Sequence, residues 1–354
     1  MSISDYKFKL RAMQPSDSVS VANLITEFDG DMTTRFLLDA YTAITFGTEY
    51  QTSGVVVECD GYDGFVGMGT VRFNKVQYNG EILPHAFLDG LKVHKKFRGQ
   101  GLGYQIANWR IQHAKETLGN KCVIATGMLQ ENLASYAVAK KWCREFVEPA
   151  FNVLIVPTRK QKPKNLTGVI VREIESHEYE EFSVKQNKFY NNYNLYPVSD
   201  ESSIENALAV TVEGRKPYRF FVAVDVQGNL LAGAQTWARG ILKSDTFNNP
   251  PTPLRILNNI FHLLPSDFTI RDIAVSGIWY EPNQIHIAQF LWEMIRWECK
   301  EQGTIITSNF DPRDPAQVVV ALKPWHQPRP KVTIAIHGPN EINREKLLFG
   351  VGRV

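Results

Sequence analysis

Three glycines at alternate positions, Gly99, Gly101 and Gly103, follow Arg98 in the stretch Lys92-Val93-His94-Lys95-Lys96-Phe97-Arg98-Gly99-Gln100-Gly101-Leu102-Gly103. No other stretch of the chain is as well suited to chemistry. Glycine lets an anion approach backbone amides closely and accepts positive φ where a turn needs it. Arg98 adds a planar, always-charged fork of donors, and Lys92, His94, Lys95 and Lys96 raise the local positive potential, a combination that favours a pyrophosphate. Such a loop binds an anion only if a helix starts where it ends, because the first amides of a helix lack intrahelical acceptors and stand at the positive end of its dipole. From Leu102 the residues Leu102, Ile106, Trp109 and His113 recur at helical spacing, and Ala86–Val93 reads as the strand that precedes the turn.

The spacing narrows the choice of phosphate ligand. The dinucleotide fingerprint needs G-x-G-x-x-G and the nucleotide P-loop needs G-x-x-x-x-G-K-[ST]; neither is present. The string Arg98-x-x-Gly101-x-Gly103, between a strand ending Leu91-Lys92-Val93 and a helix, resembles the pyrophosphate loop of the GNAT superfamily of acyl-CoA-dependent N-acyltransferases. The resemblance implies acetyl-CoA as co-substrate. It implies contacts to that co-substrate from Leu91, Val93, Arg98, Gly99, Gln100, Gly101, Leu102 and Gly103, with the N–H of Leu91 or Val93 serving the tetrahedral oxyanion. An Asn in the family opens the next helix and bonds pantetheine; Asn132 matches it, and equally reads as a plain helix N-cap. Many relatives carry a carboxylate where Asp89 stands, as a general base acting directly or through water. A solvated or ion-paired carboxylate is the other reading of Asp89, and His85 is a second candidate base. The family's acid is a tyrosine seven residues after the Asn, a position held here by Ala139. Tyr136 is the nearest replacement, and a core aromatic is its other reading. A thiol with a pKa near 8.5 can leave without an acid.

The elements that must hold these residues follow in order. Lys7–Met13 reads as a strand, Pro15-Ser16-Asp17 as a helix start before Val21, Leu24, Ile25 and Phe28, and Thr33–Phe46 as a second helix. Strands are expected at Gly54–Cys59 and Phe65–Phe73, with a hairpin turn at Asn79-Gly80. After the loop helix, stopped near Gly119, come a strand at Cys122–Thr126, a helix over Asn132–Val138 and a closing strand at Phe146–Val156. This order matches the GNAT fold.

The stretch Pro157–Asn165 is rich in proline and charge and reads as a linker. The element order then restarts: strands at Gly168–Arg172, Arg219–Val226, Leu230–Trp237 and Arg271–Val275, a helix over Gln284–Cys299, and strands at Thr304–Thr307 and Lys331–Ile336. The expectation is an α/β (α+β, mixed-sheet) protein of two GNAT-like lobes in tandem, 1–157 and 167–354, joined by 158–166. Laying Val275 on Val93 sets Tyr280 against Arg98, Asn283 against Gly101 and Ile285 against Gly103, so the second lobe is expected to lack a cofactor loop. Phe189, Tyr190, Tyr193 and Tyr196 offer an acceptor wall or simply core rings.

Composition restricts the remaining choices. A chain of 354 residues with 44% hydrophobic and 21% charged residues has the make-up of a soluble globular protein of two domains. Its net charge of +2 gives no reason to expect nucleic acid or an anionic membrane as partner. Cys59, Cys122, Cys143 and Cys299 lack metal-ligand or redox spacing, so no metal is expected. No signal segment or membrane span is readable, and a cytoplasmic location is the resulting expectation. The function expected is acetyl transfer from CoA to a small-molecule amine or a protein amino group, with oligomeric state open. A non-catalytic acyl-CoA sensor is the alternative, favoured by Ala139.

Overall fold

The computed structural model describes residues 6–28, 32–47, 51–261, 264–320 and 330–350. The first half contributes β1 (Phe8–Ala12), α1 (Ser18–Phe28), β2 (Met32–Phe36), α2 (Ala40–Thr45), β3 (Gln51–Cys59), β4 (Gly67–Tyr78), β5 (Glu81–Val93), α3 (Leu102–Leu118), β6 (Val123–Leu129), α4 (Leu133–Ala139) and β7 (Glu145–Pro157). The second half contributes β8 (Val169–Glu173), α5 (Tyr179–Phe189), β9 (Tyr193–Asn194), α6 (Glu201–Ala209), β10 (Tyr218–Asp225), β11 (Leu230–Trp237), β12 (Lys243–Phe247), α7 (Thr252–Phe261), β13 (Thr269–Ile270), β14 (Asp272–Tyr280), α8 (Ile285–Glu298), β15 (Ile305–Phe310), α9 (Ala316–Val319), β16 (Lys331–His337) and β17 (Leu347–Leu348).

One mixed sheet of twelve strands runs through both halves in the order β1-β3-β4-β5-β6-β16-β7-β15-β14-β11-β10-β8. Its centre is an exchange. The strand β16, from the end of the chain, lies between β6 and β7, while β7 continues past β16 to pair with β15. Each half therefore completes the sheet of the other, and the chain returns to the first lobe after building the second. The exchanged strand is pure core: Val332, Ile334, Ala335 and Ile336 are fully buried.

The segment expected as a helix from Thr33 to Phe46 divides in two. Met32–Phe36 is a strand paired with β12 of the second half, with Thr34 Oγ1 bonded to Asp245 Oδ1 at 2.6 Å. The β-branched pair Thr33-Thr34 suits an extended chain, and a partner more than two hundred residues away decides the matter. Asp39 then caps α2 by accepting from Thr42 N at 2.9 Å. The strand expected from Ala86 begins at Glu81, directly after the Asn79-Gly80 turn.

The helix α3 lies across β3, β4 and β5, burying Leu102, Ile106, Ala107, Ile111 and Ala114. Two glycines of β4 permit this close approach: a Cβ on Gly67 would stand 2.8 Å from Ile106 Cδ1, and one on Gly69 would meet Ile106 and Arg110 at 2.8 and 3.0 Å.

Candidate functional site

The parallel pairing of β5 with β6 ends at Phe87 and Ala125, and beyond it the strands diverge. Two features open the gap. Thr126 Oγ1 takes up the Leu88 carbonyl at 2.7 Å, replacing a ladder bond. A bulge then interrupts the β4–β5 register between Thr70–Asp89 and Met68–Lys92, with Gly90 at φ +62. Past the bulge His94 N bonds Val66 O on the β4 side. Alternation along the strand turns the N–H groups of Val93 and Leu91 away from β4, and Leu91 lines the gap.

The bulge frees main-chain oxygens in the interior, and Arg110 of α3 satisfies them. Its Nη1 donates to Thr70 O at 3.1 Å and to Asp89 O at 2.9 Å, and its Nε to Ile106 O. Arg110 is buried, which pushes its pKa down to about 10, with Asp89 pulling the other way. The gap forms a cleft of about 260 Å³ lined by Leu88, Asp89, Gly90, Leu91, Ala107, Arg110, the 126–129 segment, Asn132, Ser135, Val138, Ala139 and Trp142.

The glycine loop follows β5 directly and leads into α3. His94 Nδ1 accepts from Lys96 N, the short turn Lys95–Phe97 buries Phe97, and Gly101 stands at the N-terminus of α3, whose first intrahelical acceptor is Gly101 O. The N–H groups of Leu102 and Gly103 thus have no acceptor within the helix. Gly99 and Gly101 hold φ of +80 and +79, and a Cβ on either would meet nothing within 4 Å. The space beside their backbones is open, as an incoming pyrophosphate requires, and with Arg98 exposed on the same loop, its Nε donating to Val93 O at 3.2 Å, the residues fit that group. Gly103 acts differently, since its Cβ would lie 3.1 Å from Val138 Cγ2 and its bareness lets α4 pack against α3. Leu102 faces the core at 1% exposure, so only its main chain can serve a ligand. Gln100 lies in the loop, half-buried.

The other expected site residues separate. Asn132 is on the cleft wall and also caps α4, its Oδ1 accepting from Ser135 N at 3.1 Å. Tyr136 is not in the cleft. It stacks on Phe146 at 4.3 Å between centroids, outside the residues that line the gap, while Ala139 and Ser135 of the same helix line it. Asp89 is in the cleft, but its carboxylate is engaged: Oδ2 takes Arg72 Nη2 at 2.7 Å and Oδ1 takes Gly90 N at 2.8 Å. His85 is 1% exposed, with Nδ1 2.6 Å from Asn74 Oδ1 and Nε2 without a hydrogen-bond partner among the described residues; burial pushes its pKa down to about 3.

Behind this cleft, between the two halves, is a cavity of about 470 Å³. Arg72, Asn74, His85 and Phe87 form its first-lobe wall, and Phe220, Gln235, Trp237, Ser276, Gly277 and Asp314 stand on the second-lobe wall. Of the four rings offered as an acceptor wall, Tyr190 borders this space; Tyr193 meets Tyr190 edge-on and Tyr196 stacks on it as core rings, and Phe189 packs on Tyr190 and Tyr280.

The second half repeats the split. The strands β14 and β15 pair as far as Ala274 and Thr307, Ser308 Oγ takes up Val275 O at 2.7 Å, and Gly277 forms a bulge at φ +62. The shared bulge sets Gly277 on Gly90, and so Tyr280 on Val93, correcting the alignment that set Val275 on Val93. The strand runs on through Tyr280, and only Glu281-Pro282-Asn283-Gln284 separates it from α8, against residues 94–101 in the first half. Arg98 has no counterpart in that short turn. Pro282 has no N–H to offer, and Glu281 is paired with Lys185 at 2.8 Å. The second split thus keeps its strand geometry without an anion loop, and it opens into the interlobe cavity.

Comparison with known proteins agrees with this geometry. Residues 23–143 match the model of the Acetyltransferase (GNAT) family. Among curated proteins no sequence match is found. In fold the chain is similar to N-myristoyltransferase of Saccharomyces cerevisiae with bound myristoyl-CoA, at a TM-score of 0.63 and 8% identity over 98% of this chain and 90% of that one. It is also similar to a GCN5-related N-acetyltransferase from Sphaerobacter thermophilus, at a TM-score of 0.54 and 12% identity over 93% and 94% of the two chains. A third, from Kribbella flavida, gives 0.51 and 14% over 94% and 72%.

Proposed function

We infer that this two-lobed chain, whose first lobe is a GNAT acyltransferase domain, moves an acetyl group from the CoA thioester held in the first-lobe cleft to an amine that enters through the interlobe cavity. The observation that carries the reading is the opening between β5 and β6, lined by Leu91 past the bulge, on a strand that leads directly into a glycine loop and helix start fit for a pyrophosphate. Gly99, Gln100, Gly101, Leu102 and Gly103 would hold the pyrophosphate through main-chain N–H groups, with Arg98 beside it, and Asn132 the pantetheine arm.

In the reaction the amine nitrogen attacks the thioester carbonyl. The negative charge on its oxygen is met by the N–H of Leu91 or Val93, a donor already fixed by the bulge. The nitrogen then sheds its surplus proton to solvent, and collapse breaks the C–S bond and releases the thiolate, which needs no acid because a thiol titrates near 8.5. Among the described residues nothing stands ready as a base: Asp89 in the cleft is paired with Arg72, and His85 on the cavity wall titrates far below any amine. The amine therefore attacks after losing its proton to solvent. Asp89 is a positioning residue that fixes Arg72 and the bulge.

Acetyl is favoured over a long acyl chain because the cleft is small and carries the buried guanidinium of Arg110 on its wall, a poor neighbour for a hydrocarbon tail. The second lobe keeps no loop for a second CoA, so it serves packing and acceptor recognition. Calorimetric titration of acetyl-CoA should give one equivalent per chain, and turnover with a panel of amines should be at least tenfold faster with acetyl-CoA than with myristoyl-CoA. Two equivalents bound, or preference for the long chain, would overturn this reading.

A further inference from the structure

Resting on the reading that the acceptor occupies the interlobe cavity, we propose that Asp314 anchors a cationic group of the acceptor against the rings of Tyr190, Phe220 and Phe349. Asp314 lies on the cavity wall and is 6% exposed. Its Oδ1 accepts from Tyr193 Oη at 3.1 Å and from Ala316 N at 2.7 Å. Its Oδ2 has no hydrogen-bond partner, and no arginine or lysine pairs with it, among the described residues.

The neighbouring Asp311 makes the contrast. It is as buried, yet both its oxygens are taken, by Arg313 at 3.0 and 2.7 Å and by Leu348 N at 2.9 Å. A buried carboxylate with an uncommitted oxygen is costly unless a cation completes it. Tyr190, Phe220 and Phe349 line the same cavity, and aromatic rings attract an organic ammonium or guanidinium in addition. The two contacts Asp314 does make need only an oxygen acceptor, so an asparagine would keep them; the negative charge is surplus to the fold.

Burial pushes the Asp314 carboxyl up to about 6, with Asp311 adding to the rise. The groups that face it are Tyr193 from β9, Tyr190 at the C-terminal cap of α5, Tyr280 from β14, and Asp311, itself held by Arg313. Burial raises all three tyrosines above their usual range, so they stay neutral from pH 5 to 7.5. Because the folded value lies above the unfolded one, the stability tied to this group is present at low pH and is lost as pH rises through about 6.

The probe is benzyltrimethylammonium, a permanent cation that can be neither deprotonated nor acylated, with benzyl alcohol as neutral control. Binding to the full chain is followed by calorimetry and ligand-observed NMR. At pH 7.5 Asp314→Asn should weaken the cation at least tenfold and leave benzyl alcohol unchanged. Wild-type affinity for the cation should fall as pH drops below 6, while the variant shows no such step. Without ligand, the variant should melt higher than wild type at pH 7.5, by a smaller margin at pH 5, and equally only below the ordinary carboxyl value of 3.8, the opposite of what a purely structural carboxylate gives. Wild type that binds no cation, or a variant that binds it as well, would overturn the proposal. Titrating acetyl-CoA into the same two proteins tests the first-lobe site separately, since Asp314 lies outside it.

Discussion

Replacing Gly101 by aspartate tests the cofactor loop with its cost divided in advance between fold and ligand. At φ +79 an L-residue is strained by about 1 kcal/mol, less for Asp or Asn than for most. No neighbour lies within 4 Å of the new Cβ, so steric clash adds nothing. The fold should survive with a slightly lower melting temperature. A carboxylate about 5 Å from a pyrophosphate charge costs roughly 3 kcal/mol at the effective dielectric of a protein surface, a loss of about two orders of magnitude in affinity. Gly101→Asn carries the same strain and the same bulk without the charge. Calorimetric titration of CoA into both variants should therefore show Asp weaker than Asn by about a hundredfold at low salt, with the gap narrowing as salt rises. Equal affinities for the two folded variants and wild type would refute the assignment of this loop to a pyrophosphate.

Two further substitutions test the chemistry and its scaffold. Asp89→Asn should lower turnover by a similar factor at pH 7 and pH 9, because it loosens Arg72 and the bulge; recovery at high pH, measured in a kcat/KM profile, would instead restore Asp89 as the base. Arg110→Met removes the donors to Ile106, Thr70 and Asp89 carbonyls, each worth about 1–3 kcal/mol when left buried and unpaired, partly offset by losing a desolvated charge. A net loss of about 2 kcal/mol in urea unfolding, together with weaker CoA binding, is expected, and unchanged values of both would show that Arg110 does not hold the cleft open.

What the sequence disclosed was local. The loop is legible because glycine, arginine and a helix-period pattern fall within a dozen residues, and Asn79-Gly80 announces its hairpin for the same reason. Contacts distant in sequence leave no such trace. Thr33-Thr34 is a strand because β12 lies beside it, and β16 enters the first lobe's sheet across an interval no periodicity marks. The misalignment of the second loop has a simple cause. Strand ends are poor markers, whereas the fixed points are the bulge glycines, Gly90 in Asp89-Gly90-Leu91 and Gly277 in Ser276-Gly277-Ile278. A bulge adds a residue without any change in composition, so only the isolated glycine within an apolar run could flag it. Arg110 has a comparable signal: a charge at helical spacing from Ile106, on the face that also carries Ile111 and Ala114. Nearness in sequence to Ala139 favours Tyr136 as an acid, but the helix turns its ring onto Phe146 instead.

The two splits differ in what is built around the same opening, and this difference assigns their roles. In the first, an arginine from the covering helix satisfies the bulge, and a long loop brings helix amides to the open end. In the second, Gln186 from α5 donates to Gly277 O at 3.0 Å, and the turn into α8 is too short to form a cradle. A side chain on Gly277 would strike Gln186, so the second bulge is packed tightly against α5, whereas at Gly90 a side chain would meet only Thr70, at 3.5 Å. The exchange of β7 and β16 then matters for more than cohesion. Because β7 pairs with β16 at one end and β15 at the other, and Val153 and Ile155 of β7 border the interlobe cavity, the two cavity walls are parts of one continuous sheet. Rotation of one lobe against the other would break that ladder. On the function proposed above, an acceptor gripped at the second-lobe wall would be held in fixed register with a thioester at the first, its alignment supplied by the backbone before either substrate arrives.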